Sequence, residues 1–236
     1  MIKGATLAFV LAVAIAGILP TAASQTPSPQ GIPVDKEPLH HVVFENAYTR
    51  VFSVQLPPHS QTMLHRHDRD YVYVTFGASE IVNDVLGKPP VHVKLQDGEA
   101  GFVKGGFEHV ARNLAETPFR TFAIEVKRKP KRVMSAEKVE RGLELGHGAI
   151  SEVVLDNEEV RIRDVQLSPS AMLHATKMLP YLLVAVTDLD LRDGAADRAD
   201  AHLSQKVGGL AWRPAETAMI TNQAQQNARF VTVEFK

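Results

Sequence analysis

The chain has 236 residues, 44% of them apolar, with a formal net charge of −1 and no cysteine. That composition supports ordinary buried cores and excludes disulfide stapling. It also gives no global field that would draw the protein to nucleic acid or to an anionic membrane surface. One basic run, Lys127 to Arg132, is interrupted by Pro130 and has no interleaved aromatics, so it reads as a solvated segment between domains.

The N-terminus has the layout of a secretory signal peptide. Lys3 supplies the positive region, Ala5 to Leu19 form an uncharged apolar stretch, and small residues follow, with cleavage expected after Ala23. The apolar stretch is shorter than the ~20 residues a spanning helix requires. A periplasmic or secreted protein with no membrane attachment after cleavage is therefore expected. Gln25 to Pro38 contains four prolines and few apolar residues, which predicts a tether between the cleavage site and the folded body.

Beyond residue 40, short alternating or apolar runs are punctuated by Gly, Pro and Asp. Arg50 to Leu56, Tyr71 to Phe76, Val91 to Leu95 and Phe119 to Val126 read as strands. Val160 to Leu167, Tyr181 to Val186 and Ala228 to Phe235 read the same way. The spacing predicts an all-β sandwich or barrel. Ser135 to Leu143 is the one stretch expected to be helical, with Ser135 as N-cap.

The chain contains the same unit twice. Val42 to Pro58 matches Val153 to Pro169 at a shift of 111, with eight of 17 positions identical. Asn113 to Lys127 matches Asn222 to Lys236 at a shift of 109, with five of 15 identical. Period detection thus predicts two similar domains. The expected boundaries are a signal peptide (1–23), a linker (24–39), a first barrel (40–128), a linker with a short helix (129–150) and a second barrel (151–236).

His65-Arg66-His67 precedes the Tyr71 strand. Side chains two residues apart on an extended chain point the same way, about 7 Å apart from a ~3.3 Å rise per residue, so both imidazoles can reach one ion. His109 follows the tight segment Lys104-Gly105-Gly106-Phe107 and is the candidate third donor. Three imidazoles suit one divalent transition metal, Fe, Mn, Ni, Cu or Zn, and leave open positions for a small-molecule substrate or ligand.

These residues resemble the two motifs of the cupin superfamily. Gly98, Gly106, His109 and Asn113 fall on the second motif, with Lys104 in place of its proline; His65 and His67 match the histidine pair of the first. His59 replaces that motif's leading glycine, and Tyr71 or Val72 stands where its glutamate is expected, with Asp70 one residue early. The resemblance implies two tandem double-stranded β-helix (jelly-roll) barrels, a bicupin, with the metal in the mouth of one barrel. The fourth position is left to water, to Tyr71, or to Asp70 swinging in; Tyr71 is also the candidate catalytic residue. At a shift of 109, His65, His67 and His109 map to His174, Thr176 and Ala218, so the second barrel is expected to have lost the site and to serve as a structural partner.

Other residues read blandly. Glu108 is a surface charge, Tyr73 and Trp212 are packing residues, and Asp188, Asp190 and Asp193 form an acidic stretch at a turn. His92, His147, His202 and the pair His40-His41 lack partners at ligand spacing and are expected to be solvated. Three function classes fit: a metal oxygenase acting on an enolisable or phenolic compound, as cupins that cleave diketones and flavonols do; a redox-neutral metal-dependent isomerase, lyase or hydrolase; and a non-catalytic periplasmic binding protein. A monomer or homodimer is expected.

Overall fold

The computed structural model describes residues 30–127, 143–176, 178–195, 198–215 and 217–236. The first half contributes ten strands: β1 (Ile32–Pro33), β2 (His40–Glu45), β3 (Thr49–Leu56), β4 (His65–His67), β5 (Tyr71–Thr75), β6 (Ser79–Val85), β7 (Val91–Leu95), β8 (Ala100–Val103), β9 (Phe107–Asn113) and β10 (Phe119–Val126). They form two five-stranded sheets, in the orders β1-β4-β9-β6-β7 and β2-β3-β10-β5-β8.

The second half repeats the plan with β11 (Leu143–Leu145), β12 (Ala149–Asp156), β13 (Val160–Leu167), β14 (Met172–Ala175), β15 (Tyr181–Ala185), β16 (Leu189–Ala195), β17 (Arg198–Gln205), β18 (Leu210–Arg213), β19 (Ala218–Asn222) and β20 (Ala228–Phe235). Its sheets run β11-β14-β19-β16-β17 and β12-β13-β20-β15-β18. The two-barrel, all-β expectation is met.

Two expectations about the connecting segments change. The Pro-rich stretch is no free tether over its described part: Ile32 and Pro33 pair in parallel with His65 and Arg66, and Val34 and Glu37 are buried. A proline-rich segment can dock in this way because an edge strand two residues long needs few ladder donors. The second barrel also begins earlier than residue 151, since β11 and β12 start at Leu143 and Ala149. The helix expected from Ser135 lies outside the described residues except for Leu143, which is in a strand.

The barrels pack sheet against sheet. Val51, Val72, Val74, Ile124 and Val126 of the first meet Val160, Ile162, Leu182, Val184, Val231 and Val233 of the second in one core cluster. Alternate residues of the same strands, Phe52, Val54, Leu56, Tyr71 and Ala123, face the interior of the first barrel. A strand buried on both faces needs apolar residues at nearly every position, which is why Tyr71 to Phe76 and Tyr181 to Val186 read as dense apolar runs. Trp212, expected as core, stacks on Phe44 with ring centroids 6.1 Å apart and also contacts Tyr48 and Phe235, at the junction of the barrels. Leu182 is fully buried in this junction. Leu182→Ala is expected to destabilise the chain by about 2–5 kcal/mol in denaturant titration, and a loss below ~1 kcal/mol would show that the barrels do not depend on one another.

Buried asparagines explain why part of the repeat survived. Asn113 Nδ2 donates to the carbonyls of Leu56, Pro57 and Thr117, and Asn222 Nδ2 donates to those of Leu167, Ser168 and Gln226. Each side chain locks the same turn in its own barrel. The glycine missing from the first motif leaves a similar trace: His59 (φ 55°) and its repeat counterpart Ser170 (φ 61°) both hold the left-handed conformation that a glycine adopts without strain.

Candidate metal centre

The strand register brings the site together. His65 on β4 lies opposite His109 on β9, and His67 lies opposite Phe107. The turn before β9 has to be tight. A Cβ on Gly105 would collide with the Arg69 carbonyl, and Gly106 sits at φ 84°, donating its N–H to the His67 carbonyl at 2.6 Å. The ring centroids of His65 and His109 are 4.4 Å apart, and those of His67 and His109 are 5.2 Å apart. The Nε2 atoms of His65 and His67 are 3.2 Å apart.

A fourth imidazole completes the group, and it corrects the expectation that His40 is solvated. His40 is 8% exposed and its ring lies 4.7 Å from that of His65 and 5.9 Å from that of His67. His41, the next residue, is exposed, because successive side chains on β2 face opposite ways. The set whose donor atoms all lie within 4.8 Å of one another is His40, His65 and His67, not the expected His65, His67 and His109. His109 flanks that set against His65.

The hydrogen bonds fix which nitrogens face inward. His65 Nδ1 donates to the Met63 carbonyl at 2.9 Å, His109 Nδ1 to Asn83 Oδ1 at 2.5 Å, and His40 Nδ1 to Glu37 Oε2 at 2.6 Å. A carbonyl or carboxylate can only accept, so each ring carries a proton on Nδ1 and turns its Nε2 towards the group. The Nε2 of His109 and the Nδ1 of His67 are buried without a hydrogen-bond partner. Burial holds all three predicted ligands well below the ordinary histidine value: His65 to about 4, His67 to about 2 and His109 to about 3. These three rings are therefore neutral at pH 7. Inward-facing imidazoles with backs pinned by a carbonyl, an amide and a carboxylate are a donor set for a transition metal, and an unpaired buried nitrogen is costly unless something binds it. The group can hold one metal ion.

Neither candidate fourth ligand from the first motif is a ready donor to a metal. Asp70 is committed elsewhere, accepting from Lys104 Nζ and from the Gly105 N–H, both at 2.7 Å. Tyr71 is buried and stacks on His67, with centroids 4.5 Å apart at 24°. Desolvation raises its pKa, so its hydroxyl stays protonated and serves as a donor rather than a phenolate ligand or base. Glu108 points away from the site and accepts the Gly31 N–H at 3.0 Å.

The histidines open on a cavity of about 260 Å³, whose walls include Val54, Ile81, Leu95, Phe119 and Ala123 beside Tyr71 and Tyr73. No Lys, Arg, Asp or Glu lines it among the described residues. Tyr73 also donates to Glu99 at 3.4 Å.

The second barrel has lost the site, with one correction to the assignment. In β14 it is Ala175, not His174, that lies opposite Ala218, as His65 lies opposite His109. The counterparts of those two histidines are thus alanines. His174 faces outward and pairs with Glu144 at 3.4 Å. Leu173, Met178, Tyr181, Leu183, Ile220 and Phe230 fill the interior, leaving a cavity of about 10 Å³, at the lower limit for a single water. The remaining polar residues are accounted for locally: His202 pairs with Asp190, Lys206 with Asp188, Arg213 with Asp193, while His92 and His147 are exposed.

Sequence reasoning missed Glu37, His40 and Asn83. For the first two a signal existed. At the shift of 111 that aligns the first repeat segment, Glu37 and His40 fall on Gly148 and Ser151, so both disappear from the copy that lost the other histidines. Asn83 sits in the polar run of β6 and carried no such mark.

The fold is that of known two-barrel cupins. An oxalate decarboxylase structure superposes with a TM-score of 0.60 at 11% identity over 84% of this chain and 72% of its own. A Bacillus subtilis oxalate decarboxylase with Mn(II) centres gives 0.57 at 11% identity over 81% and 70%. The same enzyme at pH 4.6 gives 0.58 at 10% identity over 80% and 68%. No protein-family model matches the chain, and no curated protein matches it.

Proposed function

We propose that this bicupin is an exported metal-dependent oxygenase that binds one small, largely apolar monoanion, an enolate or phenolate, in its first barrel. The observation that carries the reading is the all-imidazole donor set in a cavity lined, among the described residues, by no Lys, Arg, Asp or Glu. Neutral rings at His65, His67 and His109 leave a bound divalent ion its full charge, and that ion would receive an anionic substrate. The ion would supply Lewis acidity and access to dioxygen chemistry. This chain's residues would do the rest. His65, His67, His40 and His109 hold the ion, Ile81, Leu95 and Phe119 exclude water from the substrate's apolar body, and the Tyr71 hydroxyl donates a hydrogen bond.

Oxalate itself suits the cavity poorly. A dianion would bring two carboxylates into walls without an arginine or lysine to receive the second. The redox-neutral alternative needs a side chain that moves a proton, and Tyr71, Asp70 and Glu108 each lack that capacity for the reasons given above. A non-catalytic binding protein would keep the cavity and the ion and show no turnover.

The test is oxygen consumption by protein loaded anaerobically with Fe(II) or Mn(II), across a panel of enolisable and phenolic compounds. Uptake with at least one member, absent without metal, is expected; binding of a panel member without uptake would favour the binding protein instead. Tyr71→Phe is expected to keep its metal and lower kcat/KM by about tenfold, the worth of one neutral hydrogen bond. Export adds a second check: the mature protein is expected to begin at Ser24 by intact-mass analysis, and a secreted chain retaining Met1 would contradict the proposed cleavage.

A further inference from the structure

Gly31 to His40 forms a strap across the end of the first barrel, and its bonds converge on the histidine group. The Gly31 N–H donates to Glu108 Oε2 at 3.0 Å, the Ile32 N–H to the Leu64 carbonyl at 3.1 Å, and Ile32 lies in register with His65. Val34 packs into the same cluster as Phe52, Leu56 and Tyr71. Glu37 is buried at 2% exposure and both its oxygens are engaged: Oε2 accepts from the Leu39 N–H at 2.8 Å and from His40 Nδ1, and Oε1 accepts from the Met63 N–H at 3.1 Å. Met63 therefore ties the strap to β4, because its carbonyl receives His65 Nδ1 at 2.9 Å. Glu37 thus holds the His40 ring directly and the His65 ring through Met63.

A buried Glu–His pair could be a purely structural clasp. Two observations oppose that. The pair sits with its ring inside the donor group. It is also absent from the second barrel even though the strand pairing there is retained: His40 lies opposite Val54, and Ser151 lies opposite Val165. The pair follows the site rather than the fold.

We infer that the Gly31–His40 strap supplies a ligand to the metal centre through His40, held in place by Glu37, so that strap docking and metal binding are one coupled event. A ligand delivered by a separate segment ties the free energy of metal binding to the ordering of that segment. Removing the carboxylate behind a ligating imidazole weakens metal binding by roughly 10–100-fold. The inference rests on the metal-centre reading above and deepens it: it adds that His40 reaches the ion only when the strap is docked through Glu37, whereas a centre that did without His40 would function with the strap undocked.

The experiment loads the full mature chain with Cu(II), counts coordinating imidazoles by pulsed EPR, and follows hydrogen exchange of the Gly31 to His40 amides with and without metal. The wild type is expected to bind one Cu(II) per chain and to slow exchange at Ile32 and Leu39 when metal is added. His40→Ala is expected to show one fewer imidazole and no metal-dependent protection of the strap. His40→Gln keeps a donor to Glu37 and so preserves docking, yet is expected to lose the same imidazole; it guards against misfolding of the alanine variant. Glu37→Gln is expected to keep the imidazole count while losing affinity within the range above. If both His40 variants bind with wild-type spectrum and affinity, the strap inference is overturned and the metal centre stands. If the wild type binds no Cu(II), the metal-centre reading itself falls.

Discussion

A chain carrying His65→Ala and His109→Ala together is expected to fold, keep its strand content and bind no transition metal. The second barrel supplies the precedent for folding, because alanines already occupy the equivalent positions, Ala175 and Ala218, in register across β14 and β19. The loss of metal follows from the donor geometry. Removing His65 breaks the set whose atoms lie within 4.8 Å, and removing His109 deletes a buried Nε2 that has no other partner. Circular dichroism beside elemental analysis checks both halves. Metal retained at one per chain would mean that the ion sits elsewhere.

The metal-free wild type is expected to lose stability as the pH falls from about 6.5 towards 5. Desolvation by burial holds His65, His67 and His109 at about 4, 2 and 3, against an ordinary value of 6.5. Between those values the unfolded chain binds protons that the folded chain refuses, so stability rises with pH in that window. The contribution is fully present above pH 6.5 and drains as pH falls, until the folded rings themselves begin to protonate near pH 4 and below. Glu37 has its pKa lowered from 4.5, its hydrogen bonds to His40, Met63 and Leu39 opposing its burial. It therefore contributes only in the more acid range and does not confuse the measurement. A drop of a few kcal/mol, on the order of 10 °C in Tm, is expected between pH 7.5 and pH 5. Metal-loaded protein should fall more steeply, because protons and metal compete for the same nitrogens. The His65→Ala/His109→Ala variant should show a flatter profile than the wild type, and an unchanged slope in that variant would remove these rings as the cause.

How much of this was readable beforehand follows from where each residue gets its constraint. The doubly buried strands announced themselves, since β5 and β15 need apolar residues on both faces and carry them. The short strands β4 and β8 and the polar β6 did not, because three or four residues, or a run such as Ser79 to Val85, carry no usable alternation. The histidine pair and the glycine-bounded turn before His109 were legible as local motifs. His40 was not, since its role depends on a long-range pairing that places the start of β2 against the end of the barrel holding β4. The proline content of the strap pointed towards solvent, and only the burial of Val34 and Glu37 shows that it docks. The repeat shift was correct for β19 and one residue off for β14, where the loop between β13 and β14 absorbs the difference. That single slip turned an alanine into a histidine on paper, since a one-residue change of register exchanges the two faces of a strand.

The central claim is that imidazoles from β2, β4 and β9 converge on one cation. Anomalous X-ray diffraction from crystals of the metal-loaded protein, recorded on both sides of the metal's absorption edge, tests it most directly. The expected result is a single strong peak in the first barrel about 2.0–2.2 Å from nitrogens of His65 and His67, with His40 and His109 adjoining it and no peak in the second barrel. A peak at surface carboxylates instead, or four histidine rings closed around no scatterer in protein shown to contain metal, would contradict it.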